Sequence, residues 1–174
     1  MVQFALIAIG LLVAGVLAVA ALRPGVFRVE RSVIVRADPQ AVLDLVTDFR
    51  NWSRWSPFEG LDPAMSRTYE GETRGVGAVY GWAGNGKAGS GRMEVIEVTD
   101  SRVAIKLDFL KPFEAHNLAL FTLDPEGGGF RLTWAMEGPA PFMTRLMGLI
   151  FNMDRMVGRD FETGLARLKA VVEG

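Results

Sequence analysis

Apolar and polar positions change rhythm several times along this chain, and each change marks an element. From Phe4 to Leu22 no charged or strongly polar residue interrupts the run. At ~1.5 Å rise per residue, a helix of this length spans the ~30 Å hydrocarbon core of a bilayer. It has no polar face, which sets it apart from a helix packed on a soluble core. Arg23-Pro24-Gly25 break the run, so 23–26 reads as a linker. Phe27, Val29, Val33 and Val35 then alternate with Arg28, Glu30, Ser32 and Ile34, the period of a half-buried strand. Asp38 and Pro39 are suited to the cap and first position of a short helix whose apolar face is Ala41, Val42, Leu45 and Val46.

Neither period survives from Asp48 to Phe58. Two tryptophans and two phenylalanines stand there among Arg and Ser, closed by Pro57. Aromatic bulk in an irregular segment must fold over an apolar interior. Short strand patterns follow at 67–70, 77–82, 91–98, 102–109, 115–123 and 130–137, separated by Gly-, Asp- and Pro-rich turns. Gly138-Pro139-Ala140-Pro141 end the sheet. From Phe142 to Glu173 apolar residues recur every three or four positions, with a break expected near Asn152-Met153. A run of antiparallel strands needs its apolar face covered, and this helix is the one segment long enough to do it.

The order of elements, with the stretches Phe27 to Ser32, Asp48 to Phe58, Gly75 to Trp82, Leu107 to Glu114 and Gly138 to Met143, resembles the START-like superfamily. This superfamily, also called SRPBCC, includes polyketide cyclases, lipid-transfer domains and the birch-pollen allergen. The resemblance is closest to the bacterial branch labelled polyketide cyclase/dehydrase and covers 27–173. It implies an α+β helix-grip fold, with a curved antiparallel sheet of about six or seven strands around a long C-terminal helix. It also implies a cavity for an apolar small molecule. It carries over no shared catalytic motif.

Composition narrows the chemistry. The chain has 174 residues, 49% of them hydrophobic, no cysteine, one histidine and a net charge of −1. Disulfides, thiolate nucleophiles and cysteine-ligated metals are excluded, and so is a multi-histidine metal site within one chain. There is no basic surplus for nucleic acid, and nothing calls for a cofactor or a metal. Residues 4–22 are expected to form an uncleaved membrane anchor. A signal peptide cut at Ala18-Val19-Ala20 is the competing reading, although Met1-Val2-Gln3 lacks a basic start. Arg23, Arg28, Arg31 and Arg36 follow the run, so the positive-inside rule places the domain in the cytoplasm. Relatives that carry lysines before the anchor imply the opposite side, and a periplasmic or extracellular placement stays open.

Strand parity and helical spacing define the expected cavity. Trp52 and Trp55 close one side, and Phe109, Trp134 and Met136 face the helix. Met143, Met147 and Phe151 line it from the helix, since methionine suits an irregular apolar wall. Tyr80 and Trp82, from one of the resembling stretches, and Asn117 and Phe121, on one face of their strand, complete the set. His116 lies on the opposite face and should point outward. Asp108 and Glu114 flank the Lys111-Pro112 turn, where they can meet. The expected function is a membrane-anchored binding protein for a lipid, isoprenoid or polyketide-like molecule. The alternative is a polyketide cyclase/dehydrase-like enzyme in the same cavity, and a third reading is a closed structural domain. Convergent acids or tyrosines in the cavity would favour chemistry, and a purely apolar wall would favour binding.

Overall fold

The computed structural model describes residues 2–149 and 152–174, without the side chains of Val2, Ala5, Leu6 and Met153. Phe151, one of the expected cavity residues, lies outside the described residues. Helix α1 (Val2–Leu22) leads into β1 (Val26–Val35). Helix α2 (Pro39–Thr47) starts where the Asp38 carboxylate accepts the Gln40 amide at 2.9 Å, with Pro39 at the first turn. It buries Val42, Leu43, Leu45 and Val46. Asp48 then accepts the Arg50 amide at 3.0 Å and opens a tight 3-10 turn, Phe49–Arg54, and a second runs from Pro57 to Gly60. This is the irregular aromatic segment.

Six more strands follow: β2 (Ser66–Gly71), β3 (Ala78–Ala83), β4 (Ser90–Thr99), β5 (Arg102–Lys111), β6 (Ala115–Glu126) and β7 (Gly129–Pro139). Among the described residues all seven strands form one antiparallel sheet, in the order β1-β7-β6-β5-β4-β3-β2. Two register shifts interrupt the β4–β5 pairing, between Ser90 and Gly91 and between Val95 and Glu97. Such bulges bend a strand and increase local twist, which helps this sheet curve. One face carries the core: Val29, Val95, Ile105, Phe121, Leu132 and Trp134 are buried together with Phe161, Leu165 and Leu168 of α4 (Met153–Glu173). The α+β helix-grip architecture is thus observed.

The C-terminal segment is two helices. A short α3 (Phe142–Met147) precedes α4, which restarts where Asn152 Oδ1 accepts the Arg155 amide at 2.9 Å. Of these two, α4 packs on the sheet, while α3 lies against α1. The Met143–Met147 spacing therefore does not continue the cavity face of α4. Arg145 donates to the Ala21 and Arg23 carbonyls (2.9 and 3.0 Å), and Arg23 donates to the Gly148 carbonyl at 2.9 Å. These bonds fasten the end of α1 to α3. Of the large side chains described on α1, Phe4, Ile7, Leu11 and Leu12 stand exposed. Among the described residues no helix is long and apolar enough to cross a membrane.

Candidate functional site

A cavity of about 400 Å3 opens between the core face of the sheet, the Pro57–Gly60 turn, the loop after it and the first half of α4. Each part has a sequence reason. On β3, Tyr80 and Trp82 share strand parity, so both rings reach the inner face, stacked 6.1 Å apart. Trp82 lies across β4 at Gly91, where a Cβ would collide with its ring. Its indole N–H donates to the Ala88 carbonyl at 3.0 Å, which fixes the β3–β4 loop at the rim. Asp62 pins the rim from the other side, accepting the Asn85 amide at 2.7 Å.

Trp52, Tyr80, Trp82, Phe109, Trp134 and Met136 line the cavity. Trp55 and Phe121 do not. They are fully buried beside it, with Trp55 edge-on to Trp134 at 5.3 Å and to Phe121 at 6.0 Å. Asn117 is half-buried at the start of β6, its amide over the bare backbone of Gly138, and it is not on the wall. Met143 and Met147 are displaced by the break before α4 and stand 63% and 45% exposed on α3. They are corrected from wall to surface.

The sequence reading missed the polar part of the wall. Glu59 sits on the Pro57–Gly60 turn with its side chain 9% exposed. It accepts the Tyr80 hydroxyl at 2.6 Å and Arg67 Nε at 2.7 Å. Arg67 also donates to the Glu59 and Met65 carbonyls, both at 2.9 Å, and so clamps the turn to β2. Burial first, and the Glu59 hydrogen bond second, push the Tyr80 phenol far above its ordinary range. The phenol therefore stays protonated and acts as a donor. Ser56 Oγ and Trp134 Nε1, both on lining residues, are buried with no hydrogen-bond partner. The benzo edge of Trp134 abuts Gly164 of α4, which leaves its N–H edge on the side away from the helix glycine. A buried donor left unpaired is costly, and neither atom presents surface to the cavity. The rest of the wall is apolar, including Met65, Met93, Leu107 and Phe161.

His116 lies on the opposite face, 61% exposed, with Nδ1 2.7 Å from Asp108 Oδ1 and Nε2 3.4 Å from Glu114 Oε1. The two carboxylates flanking the Lys111-Pro112 turn thus meet through the histidine and not directly. Burial raises the Asp108 pKa, but hydrogen bonds from His116 and Lys106 outweigh it and hold the group below its usual range. Among the described residues no cluster of three or more acidic or histidine side chains is arranged to hold a metal ion.

A seven-stranded antiparallel sheet gripping a C-terminal helix around an aromatic cavity defines a small-molecule cavity protein. The chain belongs to the polyketide cyclase / dehydrase and lipid transport family, whose profile matches residues 26–173. That membership supports a ligand-binding or cyclase-type role. Solved structures that share the fold include the following three. A protein from Chromobacterium violaceum is 17% identical, with a TM-score of 0.59 over 87% of this chain and 99% of its own. A protein from Staphylococcus aureus is 15% identical, with a TM-score of 0.62 over 85% and 94%. The di-domain ARO/CYC StfQ from the steffimycin biosynthetic pathway is 14% identical, with a TM-score of 0.63 over 85% of this chain and 51% of StfQ. No curated protein matches the chain.

Proposed function

We propose that this protein binds a hydrophobic small molecule, a lipid, isoprenoid or polyketide-like compound, in the cavity between sheet and α4. The observation that carries the reading is the cavity of about 400 Å3 with its aromatic and aliphatic wall. The ligand has an apolar body, as the largely apolar lining requires. Burying ~300 Å2 of its surface contributes on the order of 7 kcal/mol before association costs. In the same reading α1 is a single membrane anchor, supported by its uncharged sequence and exposed apolar side chains. The arginines after it favour a cytoplasmic domain.

Binding is tested on the full chain in lipid nanodiscs. Trp52, Trp82 and Trp134 on the wall should transfer excitation to a fluorescent fatty acid, isoprenoid or aromatic probe. A folded protein that shows no transfer to any of the three rejects the binding reading. Anchoring is tested separately by carbonate extraction of membranes. A mature chain that begins near Ala21 would reject it in favour of a cleaved signal.

One observation favours a second reading, a cyclase/dehydrase-like enzyme. Tyr80 and Glu59 form a hydrogen-bonded acid pair on the wall. A confined polyketide-like chain would meet a protonated phenol whose single O–H, held by Glu59, would have to turn from that carboxylate to donate a hydrogen bond to a substrate carbonyl oxygen. Turnover lost in Tyr80→Phe with probe binding retained would support it.

A further inference from the structure

Strand pairing brings four separate segments to one end of the sheet. Val26 pairs with Pro139, Phe109 pairs with Ala115, and Ser90 pairs with Lys111. That end therefore holds the exit of α1, helix α3, the turn between β5 and β6, and the β3–β4 loop. Its apolar side chains are uncovered. Phe113 is 81% exposed and Leu110 56% at the β5–β6 turn; Met143, 63% exposed, and Phe142 lie on α3. The opposite end carries the turns Thr99-Asp100-Ser101-Arg102 and Glu126-Gly127-Gly128, which are polar or bare, and the β2–β3 turn, where Val76 is 56% exposed.

We infer that this end docks on a phospholipid bilayer, with Phe113 and Leu110 at one side and α3 at the other inserted among the headgroups. Continuity names the occupant. The exposed apolar helix α1 leaves from this end through three residues, Arg23-Pro24-Gly25, and α3 is bonded to its last turn. Strands β1, β7, β6 and β5 are neighbours, so the β5–β6 turn stands about 15 Å from the exit of α1 at ~4.8 Å per strand. Both lie within reach of one membrane surface. Arg23, Lys111 and Lys87 add positive charge there, suited to anionic headgroups, beside the acidic Glu114. Docking also has a consequence for the cavity. Gly89 of the β3–β4 loop lies against the Lys111 carbonyl, and Lys87 and Ala88 of the same loop line the cavity rim. Insertion of the turn sets that rim against lipid, so a ligand can enter from the bilayer without crossing water.

The inference rests on the anchored reading of α1, and the test separates the two. The chain has no cysteine, so single variants Phe113→Cys, Met143→Cys and Gly128→Cys of the full chain can each carry one environment-sensitive fluorophore. They are reconstituted in phosphatidylcholine/phosphatidylglycerol vesicles. Labels at 113 and 143 should shift to the blue and be quenched by lipid-chain quenchers, while the label at 128 reads as aqueous. Carbonate-resistant protein with aqueous readings at 113 and 143 overturns docking and leaves the anchor standing. Buried readings in protein that carbonate removes overturn the anchor and support docking. Phe113→Asp should slow several-fold the uptake of a fluorescent fatty acid from vesicles and leave its equilibrium binding unchanged. An unchanged rate overturns entry from the bilayer.

Discussion

Trp134 of β7 and Phe161 of α4 stack face to face, with centroids 4.1 Å apart and planes 8° apart. The pair joins sheet to helix and also forms part of the cavity wall. Phe161→Ala should therefore destabilise the domain by ~3–5 kcal/mol and enlarge the cavity, which should improve acceptance of bulkier probes. Urea unfolding and probe competition measure both. A loss well under ~1 kcal/mol would mean that the stack does not hold helix to sheet.

The Tyr80 phenol should leave a signature at high pH. Its folded-state pKa lies above the ordinary tyrosine value of ~10. Below that value both folded and unfolded states hold the proton, and stability from this group is fully present. Above it the unfolded chain releases the proton first, so stability declines as pH rises. Tyr80→Phe should flatten this decline relative to wild type. At neutral pH the variant should lose ~1–3 kcal/mol, because Glu59 loses a donor in a mostly buried place. Identical slopes for both proteins above pH ~10 would contradict the environment assigned to Tyr80.

Much of the fold is legible because each strand buries one face. The alternation in β1 and β5 to β7 follows directly from that, and Phe161, Leu165 and Leu168 recur as one helical face should. Met143 and Met147 misled for a physical reason. Their spacing extends the rhythm of α4, but the Asn152 cap starts a new helix with its own orientation. Glu59 was invisible for a different one. Its partners, Arg67 and Tyr80, lie 8 and 21 residues away, and no local period connects a 3-10 turn to two strands. Trp52 is expected on the wall from aromatic content and Tyr80 from a resembling stretch, and neither signal tells a wall from a core, as Trp55 and Phe121 illustrate.

Gly158 should reverse the usual helix rule. Gly→Ala in a helix interior normally stabilises by ~1 kcal/mol. Here the Arg31 guanidinium lies across Gly158 while it bonds both Asp154 oxygens at 3.0 Å and Glu162 at 2.8 Å. A Cβ would collide with that guanidinium. Gly158→Ala should destabilise the wild type, yet become neutral or stabilising in an Arg31→Ala background. A stabilising effect in both backgrounds would show that Arg31 yields freely, and the double-mutant cycle reads this directly.

Ala119 offers the cleanest test of whether the cavity is space that a ligand needs. It lies on β6 between Ile105 and Met136, buried, with its methyl on the cavity wall. Ala119→Leu adds bulk at that wall and changes no polar group. If the space serves a ligand, the variant should stay folded and lose fluorescent fatty-acid binding by an order of magnitude or more. In a tightly packed core the same change would cost ~1–3 kcal/mol through overpacking and leave binding untouched. Met147→Trp is the matched control. Met147 stands on α3, away from the wall, so its replacement should alter neither probe affinity nor urea midpoint. Unchanged binding in Ala119→Leu, together with a marked loss of stability, would argue for a filled core and against the ligand.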